Sequence, residues 1–347
     1  MKSVSKPAVV FVALCAVSLT AVIGYALLRD GSAAPPEAAG VSTAGEAAFA
    51  DAARRPHLLF RHAGLDNMHG KLGLVPLDAL DGPRLMTSRS CERVYFAAGR
   101  GVCLSADRGM VTTYRAEVFD AGYQTRHDTA LTGVPSRTRV APDGRLAAFT
   151  YFVSGDSYAT GGFSTRTVVI DAIDGTSLAN LEDFAVTRDG APFKSADFNF
   201  WGVTFSTERG KFYATLASGG TMHLIEGDVP SKTARVIREG IECPSLAPDG
   251  RRIAFKRRMP GVRLLWRIHV LDLASGTETP TAEARSVDDQ IEWLDAQTVL
   301  YALPNHRQKA TASMDIWAVP ADGSGAPRVL VPNAESPAVV RPHADEH

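Results

Sequence analysis

Between Glu242 and Glu283 the chain alternates apolar and polar positions with a period of two, in four short runs divided by turn residues. That period marks half-buried strands rather than helices. The first run ends at Leu246, where Pro248-Asp249-Gly250 turns the chain: proline presets φ, aspartate bonds its own backbone and glycine takes positive φ. Arg252 to Lys256 follows at once as a second strand. A third, Arg267 to Leu273, sets Ile268 and Val270 on one face and Leu271 and Leu273 on the other, and Ser275-Gly276 turns it into a fourth, Glu278 to Thr281. Four short antiparallel strands in about 45 residues make one blade of a β-propeller.

A single blade cannot bury both of its faces, so the unit should recur. Ser136 to Leu181 repeats it, with turns at Pro142-Asp143-Gly144 and Asp174-Gly175. Asn199 to Arg238 repeats it with Glu208-Arg209-Gly210 at the first turn, and Asp288 to Val331 with Asp295-Ala296 and Asp322-Gly323. An insertion, roughly Asp183 to Ser195, accounts for the longer step from Asp143 to Glu208. Ser90 to Thr132 is the least regular blade. Leu58 to His62, Leu72 to Leu77 and Arg84 to Met86 form a partial blade that lacks its first strand. Glu335-Ser336-Pro337-Ala338 near the C-terminus resembles Glu242-Cys243-Pro244-Ser245 in order and spacing. Paired beside Leu58 to His62, it would close the ring and leave no open sheet edge. The fold class predicted is all-β, a six-bladed propeller closed by a C-terminal strand, with five or seven blades as the alternatives.

The segments APDGRRIAF and APDGRLAAF resemble the strand pairs of TolB-type propellers, and the resemblance extends from Leu58 to Val340. The α/β domain that precedes the propeller in that family has no counterpart here. The resemblance implies a non-catalytic binding or scaffold module at the bacterial cell envelope, with an envelope protein or a peptide as partner. The alternative is a propeller enzyme of lyase or lactonase type that uses a metal at the channel mouth, because one propeller fold serves many functions.

Hydrophobic residues make up 45% of the chain, charged residues 22%, and the net charge is −1, a balance that excludes a nucleic-acid binder. The N-terminus changes the picture more. From Pro7 to Leu28 there is no charge over 22 residues, enough to span a bilayer. Lys2 and Lys6 precede that run, which favours an exported body. Residues 1–28 therefore read as a signal anchor or a cleaved signal peptide, and 29–56 as a flexible Ala/Gly/Pro linker with a short helix near Glu46 to Ala53. Residues 57–341 form the propeller and 342–347 a disordered tail. The expected location is the cell membrane, single-pass with the propeller outside the cytoplasm, or the periplasm or exterior after cleavage.

The chain contains no G-x-S-x-G and no H-E-x-x-H. Its histidines lack metal-ligand spacing, and His269 within a strand reads as packing or surface. The aspartates at the turns make the turns and are too isolated for calcium. Cys91 and Cys103, 12 positions apart on neighbouring strands, are disulfide candidates in an exported protein, leaving Cys243 as a buried thiol. Aligning the innermost strands on Leu246, Val140, Phe205 and Trp293 puts Glu242, Ser136, Trp201 and Asp289 at one level, joined by Glu335. Carboxylates from three consecutive blades at one mouth would suit a cationic ligand, a basic peptide or a divalent cation. Alternatively, they bond neighbouring backbone amides and carry no ligand. No other cofactor is expected.

Overall fold

At each tight turn the aspartate carboxylate ties down the backbone as expected. Asp143 accepts from the Arg145 amide at 3.0 Å, Asp249 from Arg251 at 2.9 Å, and Asp295 from Gln297 at 2.8 Å. Gly144 and Gly250 follow at φ 70° and 69°, so the chain reverses without strain. These turns divide the computed structural model into six sheets, each built around four antiparallel strands. The described residues are Thr20, 41–42, 46–153, 164–261, 265–305 and 313–341. The apolar N-terminal segment, apart from Thr20, and the C-terminal tail lie outside them. Among the described residues no helix is long and apolar enough to cross a membrane.

Five blades run in chain order from innermost to outermost strand. The second begins with Arg93–Ala97, the third with Pro135–Val140, the fourth with Asn199–Phe205, the fifth with Glu242–Leu246 and the sixth with Glu292–Trp293. The first blade is assembled from both ends of the chain: Ala334–Val340 is its inner strand and pairs antiparallel with His57–His62, as expected. The insertion folds into a hairpin, Ala185–Arg188 with Ala191–Phe193, which pairs parallel to Thr233–Glu239 and widens the fourth blade to six strands.

Each sheet packs on its neighbours, and the six apolar clusters correspond to the six seams between blades. Ile268 and Val270 face the sixth blade with Tyr301, while Leu271 faces the fourth with Leu224, the two-sided burial that their alternation requires. The helix Glu46–Ala53 forms where expected, and its Phe49 and Ala52 are buried in the seam of the first and second blades. Phe49 meets Tyr123 edge-on at 4.8 Å. Ahead of it, Val41–Ser42 pairs parallel with Arg84–Ser90 at the outer edge of the first blade. This end of the linker is therefore fastened to the ring.

Candidate functional site: the two ends of the channel

The inner strands all start at one face of the ring, here called the front, and finish at the other, the rear. The residues singled out from sequence lie at the front, where four of the inner strands are irregular. Register shifts at Ser136 between Pro135 and Arg137, between Trp201 and Thr204, between Glu242 and Ser245, and opposite Ser336 in the closing strand. Cys243 and Ser336 take φ 49° and 52° and Gly202 takes φ 65°. A side chain at Gly202 would put its Cβ 2.8 Å from the Cys243 Cα, so only glycine lets these strands approach. In both Glu-x-Pro segments proline follows the left-handed residue, where the ladder needs no amide donor.

Such bulges re-aim the neighbouring side chains. Glu242 is 4% exposed, accepts from the Trp266 indole at 3.0 Å and pairs with Arg258 at 3.3 Å. Asp289 is 5% exposed and accepts from the Ala302 amide at 2.9 Å. Glu335 pairs with Arg61 and lies 3.6 Å from Arg93. Trp201 is buried, and the Ser136 carbonyl accepts from Arg93 at 3.0 Å and from Arg137 at 2.9 Å. The three carboxylates do come from three consecutive blades at one end, but each is held by partners close at hand. Among the described residues no group of three or more histidine, cysteine or acidic side chains is arranged to hold a metal ion.

Sequence alignment of the strands missed the cations. Lys256 reaches Asp288 at 2.5 Å, and Arg137 lies 3.7 Å from the same carboxylate. Burial alone would raise the Asp288 carboxyl, but Lys256 and Arg137 outweigh it and hold it below the usual range. The front thus carries charges of both signs. Arg137 and Arg139, two apart on an inner strand, were the available signal, since alternate residues of an inner strand share one face.

Deeper in, the channel is crossed by a network that sequence spacing does not suggest. Arg139 of the third blade pairs with Glu292 of the sixth and donates to the Ile291 carbonyl at 2.9 Å. Its guanidinium lies 4.4 Å from the Tyr95 ring of the second blade and 3.3 Å from the Ser245 hydroxyl of the fifth. Four blades meet on one buried ion pair. Behind it a recess of about 360 Å³ opens at the rear, walled by Val140, Phe205, Leu246 and Trp293.

The seams also hold the remaining predicted groups. Cys91 and Cys103 form a disulfide, and Cys243 is a buried free thiol. His269 packs on the Phe255 ring and lies 2.7 Å from Glu278, a packing role as expected. Burial lowers its pKa below the ordinary histidine value, with Glu278 opposing.

No protein-family model matches the chain, and no curated protein matches it in sequence. Among solved structures it is similar to TolB from Acinetobacter baumannii, with 16% identity over 83% of this chain and 67% of that one and a TM-score of 0.48. It is also similar to a chain of a nidogen/laminin complex, with 12% identity over 82% of this chain and 97% of the other and a TM-score of 0.53. A puromycin-hydrolyzing peptidase from Mycobacterium tuberculosis shows 13% identity over 80% of this chain and 45% of its own, with a TM-score of 0.47. These likenesses are of fold, and the fold resemblance to TolB-type propellers noted from sequence is among them.

Proposed function

We propose that this chain is a non-catalytic propeller module that binds an envelope protein or peptide through its front face, outside the cytoplasm of a bacterial cell. The observation that carries this reading is where apolar surface is left uncovered. Of the six exposed large hydrophobic residues among the described ones, Leu65, Met110, Val111, Val134 and Phe152 belong to front loops and strand ends, and only Ile173 lies at the rear. Met110 and Val111 form the tip of a hairpin between two nine-residue strands and are essentially bare. Uncovered apolar groups gathered on one face mark interaction surfaces. The charges of both signs inside the front rim supply polar partners without a net field that would select one sign of ligand. A disulfide between Cys91 and Cys103 suits an oxidising compartment, which supports export. The nidogen/laminin complex is one case of this fold in a protein assembly, and it supports the class of function only.

The test compares two variants of the full chain purified from its own membranes. Met110→Asp with Val111→Asp changes the front, and Ile173→Asp changes the rear; all three residues are exposed, so the fold should survive. The front variant should retain less than about a tenth of a partner that co-purifies with the native chain, and the rear variant should retain it. Equal recovery with both would overturn the reading.

A further inference from the structure

The rear recess is separate from the front face, and it has the size of a small-molecule site: about 360 Å³, where such cavities begin at roughly 300 Å³. Its walls are mostly apolar, with Thr204 and Thr207 among them and the exposed Arg341, which donates to the Leu294 carbonyl, at the rim; regular strand pairing puts the apolar residues there. Val140 pairs with Ala147, Phe205 with Phe212, Leu246 with Ile253 and Trp293 with Val299, without a bulge at any of the four.

Its floor is polar and incompletely satisfied. The Arg139 side chain is 5% exposed, yet its Nε has no hydrogen-bond partner among the described residues. Glu292 is 9% exposed and receives the Tyr95 hydroxyl only at 3.4 Å, a long contact that leaves one carboxylate oxygen able to accept more. The Ser245 hydroxyl receives Arg139 at 3.3 Å and has its own proton to give. Burial raises the Tyr95 phenol far above its ordinary pKa, so it stays protonated and can donate.

We propose that this recess binds a small uncharged amphiphile: an aromatic or branched aliphatic group ending in a hydroxyl or carboxamide. The apolar part packs on Phe205, Leu246 and Trp293, and the polar end gives a proton to Glu292 and accepts one from Ser245 or Tyr95. Charge selects the class. The floor holds one buried cation and one buried anion, so its net charge is zero. A carboxylate reaching that floor would face Glu292, an ammonium would face Arg139, and either would lose its hydration where both charges are already paired with each other, away from the exposed Arg341 at the rim. A neutral group that both donates and accepts meets neither cost.

The experiment is calorimetric titration of the intact protein with three probes of one shape: benzamide, benzoate and benzylamine. Benzamide should bind saturably with a Kd of about 1 mM or tighter, and the two charged analogues at least about tenfold more weakly. Thr207→Trp at the exposed rim of the recess should weaken benzamide at least about tenfold without touching the floor. Glu292→Gln, which leaves Arg139 uncompensated, should reverse the order in favour of benzoate. Absence of saturable benzamide binding, equal binding of all three probes, or indifference to Thr207→Trp would each overturn the proposal. Thr207 faces solvent, so its variant keeps the test decisive even if Glu292→Gln fails to fold.

Discussion

The two ends of the channel are built from the same six inner strands and have opposite characters. At the front the strands bulge, at Ser136, Gly202, Cys243 and Ser336, and the residues beside the bulges turn away to bond within and between blades. At the rear the same strands pair regularly and alternate side chains line the opening. Between the ends stands the Arg139 and Glu292 pair with Tyr95 and Ser245. Strand alternation therefore predicts what a channel presents only where the register is unbroken. One extra residue in an inner strand is enough to convert a row of exposed carboxylates into structural ties.

Both ends require a closed ring, and the largest expected effect tests that first. Deleting residues 334–340 removes the inner strand of the first blade, uncovers the edge of His57–His62 and opens two seams. The truncated chain is expected to lose its cooperative melt altogether, followed by circular dichroism. An unchanged melting temperature would mean that the termini do not close the ring.

Next comes the partition between the ends. Arg139→Ala leaves Glu292 buried without its cation, and the expected loss is about 3–5 kcal/mol in denaturant unfolding. Replacing both members, Arg139→Met with Glu292→Leu, should recover most of it, because the desolvation cost disappears with the charges. A single variant as stable as the native chain would show that the pair does not bear on the joining of four blades.

The smallest effect addresses the front carboxylates. Glu242→Gln with Asp289→Asn keeps their shape and removes the charge that strengthens the bonds from Trp266, Arg258 and Ala302. The expected change is a loss of about 1–2 kcal/mol, with no response of the melt to added divalent ions. A gain in stability would show instead that these groups repel one another across the mouth and await a cation.

Much of this molecule was legible before its structure. The Asp-Gly turns, the two-residue period and the likeness of Glu335-Ser336-Pro337 to Glu242-Cys243-Pro244 are local signals. They specify turns, strands and a closing strand because backbone conformation at glycine, proline and aspartate is set by the residue itself. The disulfide was legible for a similar reason, its cysteines being 12 positions apart and close to one hairpin. Tertiary structure alone decided what the channel contains. Arg139 and Glu292 are separated by 153 residues and meet only because the ring closes. Which way Glu242 points depends on a bulge whose presence the alternation of its neighbours does not betray. A charge on one inner strand can be balanced from any of the others. Only the assembled ring selects which, since desolvation forces each buried charge to find its counterpart among the groups that packing has brought within reach.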